Sequence, residues 1–422
     1  MSKKRILSFN GNSLLNSDFQ DAQKKLIKYR EKINVLYFEC GWSKNRIARK
    51  LGMSKHTVIR WTQSPVQDFT EDHRGWPKGK RRKWSKATEE RIRVLHQQHV
   101  LNPEEFFYGA TAIAHQWRLK YSETPPPIRT IGQILKELKL SKPRKKGRGR
   151  GAAEYLCYPE KTIYGGALGG RVIEADFIRR YLKGHSSPLH FIGFSAKKEP
   201  RLRHYIRIGD MTTDVFIKAC DAFFEQFEQP EILKLDNAAT FTGSASGKHN
   251  LSKVMIYLLN RQITPVFAVP RRPFTQASIE GNNSVFARNF WNRIDFNTLA
   301  DVDKQLGWFN KSSLKYSGYQ KPELKEQSEE TAFIPIVYFL RQIKESETNP
   351  GQGSIVVLNE EILLSPEWIN FFVVAKWNLK TETLNVFKEQ KEQIITLYDK
   401  TFRINETTKK NLKRTGALSS CI

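Results

Sequence analysis

Near residue 165 the hydrophobic pattern of this 422-residue chain changes period, and no other feature constrains the fold as much. Up to about residue 140, apolar residues recur every three or four positions, the spacing of one helix face. Beyond it, short stretches alternate: "RVIEADFIRRYL", then "PLHFIGFSA" and "RLRHYIRIGD" joined through the charged "KKEP". Period two marks strands with one face buried. Helical patterns then interleave. "TTDVFIKACDAFFEQFEQ" puts Val215, Phe216, Ala219, Ala222 and Phe223 at helical spacing, and "KHNLSKVMIYLLNRQ" and "SIEGNNSVFARNFWNRI" follow. The strands "EILKLDN" and "ITPVFAVP" lie between them. Three strands, helix, strand, helix, strand, helix predicts a mixed five-stranded α/β sheet with flanking helices. A last alternating region ("GSIVVL", "FFVVAKWNLK", "TLNVFKE", "EQIITLYDK") predicts a small C-terminal β-barrel.

The helical part divides in two. In "CGWSKNRIARKLGMSKHTVIRWTQ", Ser43 can cap a helix with Ile47, Ala48 and Leu51 inward, Gly52 allows a turn, and Ser54 or Lys55 opens a second helix with Val58, Ile59 and Trp61. That is helix-turn-helix spacing, with Leu26, Ile33 and Leu36 on a supporting helix. Lys55, His56, Thr57 and Arg60 then fall at or near the exposed face of the recognition helix, within reach of bases or phosphates. A hairpin used only for packing is the plainer alternative. A second helical unit has apolar positions Ile92, Val94 and Leu95, then a helix around 104–119 with Phe107, Ile113, Ala114 and Trp117. A proline stop follows, then a helix with Ile131, Ile134, Leu135 and Leu138, and Arg129 and Thr130 at its N-terminus. Two basic linkers adjoin these units: "WPKGKRRKWS", with Lys80, Arg81 and Arg82, and "SKPRKKGRGRG", with Lys145 and Lys146. The expected organisation is multidomain: all-α helix-turn-helix units at 17–65 and 85–140 (the second helix-turn-helix or winged-helix-like), a basic linker at 141–164, the α/β core at 165–325 and the barrel at 350–405.

The chain carries 70 Lys and Arg against 43 Asp and Glu, a net charge of +27. Such an excess attracts polyanions through phosphate neutralisation and counterion release, with nucleic acid ahead of an acidic membrane surface. No apolar run approaches the length of a spanning helix, and "MSKKRILSFNGN" lacks a signal-peptide apolar core. Cys40, Cys157, Cys220 and Cys421 show no paired spacing, so neither a disulfide framework nor a zinc site is expected. A reducing intracellular compartment fits, cytoplasmic and associated with the nucleoid.

Three acids stand at element ends or centres of the strand-rich region: Asp176 in the first strand, Asp236 at the end of the fourth, Glu280 at the start of the last helix. If the first and fourth strands pair, the aspartates converge and the helix can bring Glu280 beside them. Three such carboxylates cannot all ionise unassisted. Hard oxygen ligands favour Mg²⁺, or Mn²⁺ as substitute, and two ions about 4 Å apart suit an in-line phosphoryl transfer. Taken singly, each acid has a bland reading: Asp236-Asn237 as a turn, Glu280 as a helix N-terminal charge, Asp176 as a cap or ion-pair partner. Glu174 shares a strand face with Asp176 and competes for its role. Asp210 and Asp214 flank a helix start and read as caps; His185, His190, His204 and His249 read as surface or DNA-facing groups.

These residues resemble the catalytic core of the DDE-type transposases and retroviral-type integrases, of ribonuclease H-like fold. "VIEADFI" is similar to the family's first-strand Asp, "LKLDNAATF" to its Asp-Asn motif with a following Phe, Phe241, and "ASIEGNNSVFARNFW" to its Glu helix, with Asn283 three residues after the Glu. The resemblance covers about 165–325, and the flanking layout resembles bacterial insertion-sequence transposases. Ala238 stands where the family usually has Gly, and 43 residues separate Asp236 from Glu280, a longer gap than in the retroviral type. The resemblance implies Asp176, Asp236 and Glu280 as catalytic residues and metal ligands, with Asn283 and Arg288 toward DNA. It implies a transposase acting on double-stranded DNA, element ends and target, by direct transesterification. The active complex would be a homo-oligomer of at least two copies, with no membrane partner and a helper protein left open. A catalytically inactive, transposase-derived DNA-binding regulator is the alternative; a ribonuclease H-type nuclease explains the core but not the helical units.

Overall fold

The computed structural model describes residues 27–63, 84–141, 172–196, 201–243, 247–320, 333–390 and 393–415. The chain divides into two compact units, Met1–Ser85 and Lys86–Ile422. In the first, helix α1 (27–34) runs into a π turn at Val35–Glu39. Helices α2 (Lys44–Leu51) and α3 (Lys55–Trp61) follow. Ser43 caps α2, its hydroxyl accepting the Arg46 N–H at 3.3 Å. Gly52 ends it at φ +62°, a conformation glycine adopts without steric cost. Ile33, Ile47, Ala48, Val58 and Trp61 form the small core, as their spacing predicts.

The second unit opens with α4 (Lys86–Leu101), α5 (Ala110–Tyr121) and α6 (Ile128–Glu137) around Ile92, Leu95, Ile113, Trp117, Ile131 and Leu135. Helix α5 starts at Ala110 rather than near 104. Gly109 is extended at φ −79°, ψ 179°, and the preceding Glu105 and Phe106 are spent on another contact. Glu105, buried, accepts hydrogen bonds from Ser312 Oγ, Lys315 Nζ and Tyr316 Oη, and Phe106 sinks among Phe286, Phe290 and Phe309.

Then come β1 (Val172–Arg180), β2 (Leu189–Ala196), β3 (Arg203–Ile208), α7 (Thr213–Gln226), β4 (Ile232–Leu235), α8 (Lys253–Asn260) and β5 (Thr264–Phe267). Helix α9 (Ala277–Phe286) continues into a π turn at Ala287–Trp291, and α10 (Leu299–Lys315) follows. The C-terminal part adds β6 (Ile336–Gln342), β7 (Lys344–Glu345), β8 (Gly353–Val357), β9 (Glu360–Leu364), β10 (Phe372–Asn378), β11 (Thr383–Gln390), β12 (Gln393–Thr401) and α11 (Glu406–Thr415).

The main sheet has the order β12-β11-β10-β6-β5-β4-β1-β2-β3. Strands β1, β4, β5 and β6 run parallel to their neighbours in that series; the outer pairings are antiparallel. The expected mixed five-stranded core with β1 beside β4 is present, in the order β3-β2-β1-β4-β5, but among the described residues the sheet has nine strands rather than five. Among the described residues the C-terminal strands form no closed barrel. Strands β6, β10, β11 and β12 extend the open sheet, and β7, β8 and β9 make a separate three-stranded sheet. The cause is β6, which pairs with β5 through Val266–Tyr338 and Phe267–Phe339 and so carries the following strands onto the core's edge. Ile192 and Phe194 face α7 and α8 in one core, while Phe191 and Tyr205 face α9 and α10 in another. The sheet is thus the middle of three layers, and α9 lies across the face of β1 that Asp176 shares.

Candidate active site

Asp176 sits within β1, and Asp236 directly follows the last residue of β4. The two strands are parallel neighbours, with Glu174 opposite Lys234, so each aspartate lies two residues beyond that pair, on the same face. Glu280 is in the first turn of α9. The pairing on which convergence depended is therefore present.

The electrostatics register this proximity. Burial pushes the Asp176 carboxyl up to about 6, and the Asp236 charge adds to the rise, with Glu280 contributing. A backbone N–H and the Asn283 amide, which donates to Asp176 Oδ2 at 3.0 Å, oppose it. Burial also raises Asp236, against the Ala238 N–H that its Oδ1 accepts at 3.0 Å. Asp236 thus makes the turn its bland reading required, through Oδ1. Glu280 is raised by burial and by the nearby Glu174 charge.

Among the described residues, no three or more of His, Cys, Asp and Glu stand close enough to hold a metal ion. The donor chemistry nonetheless fits a hard cation. Burial raises all three carboxyls, and Asp176 is raised further by the other two, a cost that a divalent ion relieves. The Oδ1 atoms of Asn237, next to Asp236 in the chain, and of Asn283, bonded to Asp176 through its amide, are buried with no hydrogen-bond partner among the described residues, and both are hard, neutral oxygen donors.

Of the residues expected toward DNA, Lys55, His56 and Arg60 are exposed on α3 and Thr57 is half-buried. Arg129 is exposed and Thr130 half-buried in the first turn of α6. Arg288 is exposed, its Nε donating to the Ser284 carbonyl at 3.1 Å. Asn283 is half-buried, its amide donating to Asp176. Lys80, Arg81, Arg82, Lys145 and Lys146 lie outside the described residues. Two histidines read as surface groups are structural: His204 packs edge-on against Phe227, burial holding it down at about 4, and His249 stacks on Phe402.

Sequence reasoning missed the support beneath these acids. Glu174 and Lys234 are 1% and 0% exposed, and each reaches toward α9. One signal was present. Lys234 interrupts the otherwise apolar strand "ILKL", and a charge in a buried strand demands a partner.

No protein-family model matches the chain, and no curated protein does. Among solved structures, the chain is similar to the catalytic core domain of BIV integrase at 15% identity, covering 33% of this chain and 83% of that one, with a TM-score of 0.25. It is similar to a chain of the simian T-cell lymphotropic virus intasome in complex with PP2A regulatory subunit B56 gamma at 11% identity, covering 66% and 96%, with a TM-score of 0.30. The mariner Mos1 paired end complex with Mg matches at 13% identity over 70% and 98%, with a TM-score of 0.15. At these scores the case for function rests on the chain's own residues.

Proposed function

We propose that this chain is a DDE-type DNA transposase, a metal-dependent polynucleotidyl transferase that nicks mobile-element ends and joins them to target DNA. The observation that carries the reading is the placement of Asp176 in β1 and Asp236 at the end of the adjacent parallel β4, where burial and the Asp236 charge hold Asp176 at about 6 beside the helix bearing Glu280. A fold gains no stability from such an arrangement; a site for divalent cations does. Asp176, Asp236 and Glu280 are the proposed ligands, with Mg²⁺, or Mn²⁺ in its place. A bound ion pair would supply Lewis-acid stabilisation of charge on the reacting phosphate. Asn283 orients the Asp176 carboxylate through its amide. Exposed basic residues of α3 and α6, among them Lys55, Arg60 and Arg129, bind DNA phosphates and fix the register of the duplex.

The chemistry is two displacements at phosphorus. Water attacks a phosphodiester at the element end, leaving a 5′-phosphate and a free 3′-hydroxyl. That hydroxyl attacks a target phosphodiester, forming a new 3′–5′ bond and releasing a target 3′-hydroxyl, with no covalent enzyme intermediate. Joining two ends calls for at least two copies of the chain on DNA. The second reading, a transposase-derived regulator that binds DNA without chemistry, is favoured by one observation: the described side chains do not converge into a metal-holding group. Labelled DNA carrying the element's flanking ends decides between them, with Mg²⁺, Mn²⁺ or chelator. The transposase reading expects metal-dependent cleavage and joining, lost in Asp236→Asn and Glu280→Gln while end binding is unchanged. Tight binding with no product in either metal supports the regulator.

A further inference from the structure

We propose that Glu174 and Lys234 form a positioning clamp that seats the Glu280 helix over the two aspartate strands. The proposal rests on the reading of Asp176, Asp236 and Glu280 as the working carboxylates. The two residues face each other across the β1–β4 pairing, Lys234 Nζ standing 3.6 Å from Glu174 Oε1. Neither charge reaches solvent. A buried pair of this kind is weak as a source of stability, because apolar residues of the same volume serve as well or better. Its remaining contacts give it another use. Glu174 Oε2 accepts the Ile279 N–H at 3.0 Å, and Lys234 Nζ donates to the Thr275 carbonyl. Thr275 belongs to the 3₁₀ turn Pro273–Gln276 that leads into α9, and Ile279 supplies one of the helix's first N–H groups, which have no partner within the helix.

Each aspartate strand is therefore tied to the start of α9 by the residue two positions before its acid. Fixing the Ile279 amide fixes the α-carbon of Glu280 next to it. The rest of the contact surface suits this seating. Gly193 lies opposite Asp176 on β2, and a Cβ there would stand 2.8 Å from Tyr205 Cε1 and 3.2 Å from Ile279 Cδ1. The helix thus rides against bare backbone. One turn on, Asn282 donates to the buried Ser195 hydroxyl. The clamp also settles the competition between Glu174 and Asp176. Both Glu174 oxygens are engaged by Lys234 and Ile279, which leaves Asp176 as the acid of β1 that faces the site.

The test is the E174Q/K234M double variant, which removes both charges together and strands neither. Two readouts are taken: hydrogen exchange of amides 277–283 without metal, and the Mg²⁺ concentration giving half-maximal cleavage of end DNA. The clamp predicts at least ~10-fold faster exchange at the start of α9 and a half-saturating Mg²⁺ raised ~10- to 100-fold, with end binding unchanged. K234Q, whose amide can still donate to Glu174 and Thr275, falls between wild type and the double variant. Wild-type exchange in a folded double variant overturns the proposal, and so does faster exchange with an unchanged metal requirement. If wild type cleaves nothing in either metal, the reading of the site fails, and the exchange result alone decides whether the pair seats the helix. If the double variant does not fold, K234Q and K234M are compared by the same readouts, and equal values overturn the clamp.

Discussion

Asp176 holds a proton to about pH 6 because burial and the Asp236 charge outweigh the hydrogen bonds that favour its ionised form. An ordinary aspartate in the unfolded chain loses its proton near pH 4. Below that pH both states are protonated and the site contributes nothing. As pH rises from 4 through 6, the unfolded chain ionises first, and the folded chain loses stability by up to about 3 kcal/mol. Without metal, then, the stability advantage of Asp176→Asn over wild type should grow by roughly that amount between pH 4 and pH 7, as read by denaturant unfolding in chelator. Adding Mg²⁺ at pH 7 should stabilise wild type more than the variant. A flat difference across the range would mean that Asp176 is not strained by its neighbours. At this scale the sequence marked the acids, because polar residues in apolar strands are few. It did not mark Asn283 as the partner of Asp176, since nothing in a helix's own spacing says which face meets a strand 107 positions away.

The link between α4 and α5 behaves as an anchor. Phe106 is 2% exposed among the aromatic rings of α9 and α10, and Glu105 beside it collects three side-chain donors from the end of α10 and just beyond. Phe106→Ala should cost about 3–5 kcal/mol in holding the α4–α6 unit to the sheet. Protease cleavage within 102–109 should rise well before the sheet itself unfolds; unchanged protection would show the unit to be held elsewhere. Most elements were legible from period alone: α2, α3, β1 to β5 and α9 follow their apolar spacing. The exception is instructive. Phe106 and Phe107 fit a helical repeat as well as they fit a docking loop, and the partner that selects the loop, Ser312, lies 207 residues downstream of Glu105. Strand alternation in the C-terminal part likewise revealed the strands but not their partners, so an open extension read as a closed barrel.

For the molecule as a whole, the charge of +27 favours a DNA complex held through phosphate contacts, whose number sets its response to ionic strength. Affinity for end DNA should fall linearly on a log–log plot against salt, and Arg60→Ala should make that slope shallower by about 1, weakening specific and nonspecific duplex alike. An unchanged slope would place Arg60 off the phosphates. The nine-stranded sheet has a consequence of a different kind, one of timing. Strand β5 ends at Phe267, but its outer neighbour β6 begins only at Ile336, and β10 to β12 come later still. A ribosome adding roughly 5–20 residues per second leaves β5 as an unpaired parallel edge for seconds while α9 and α10 are being made. Throughout that interval the nascent chain already carries Asp176 and Asp236 but lacks half the sheet that will enclose their strands. Slowing translation between codons 270 and 400 should therefore lower the soluble yield of this protein more than the same delay placed before codon 170.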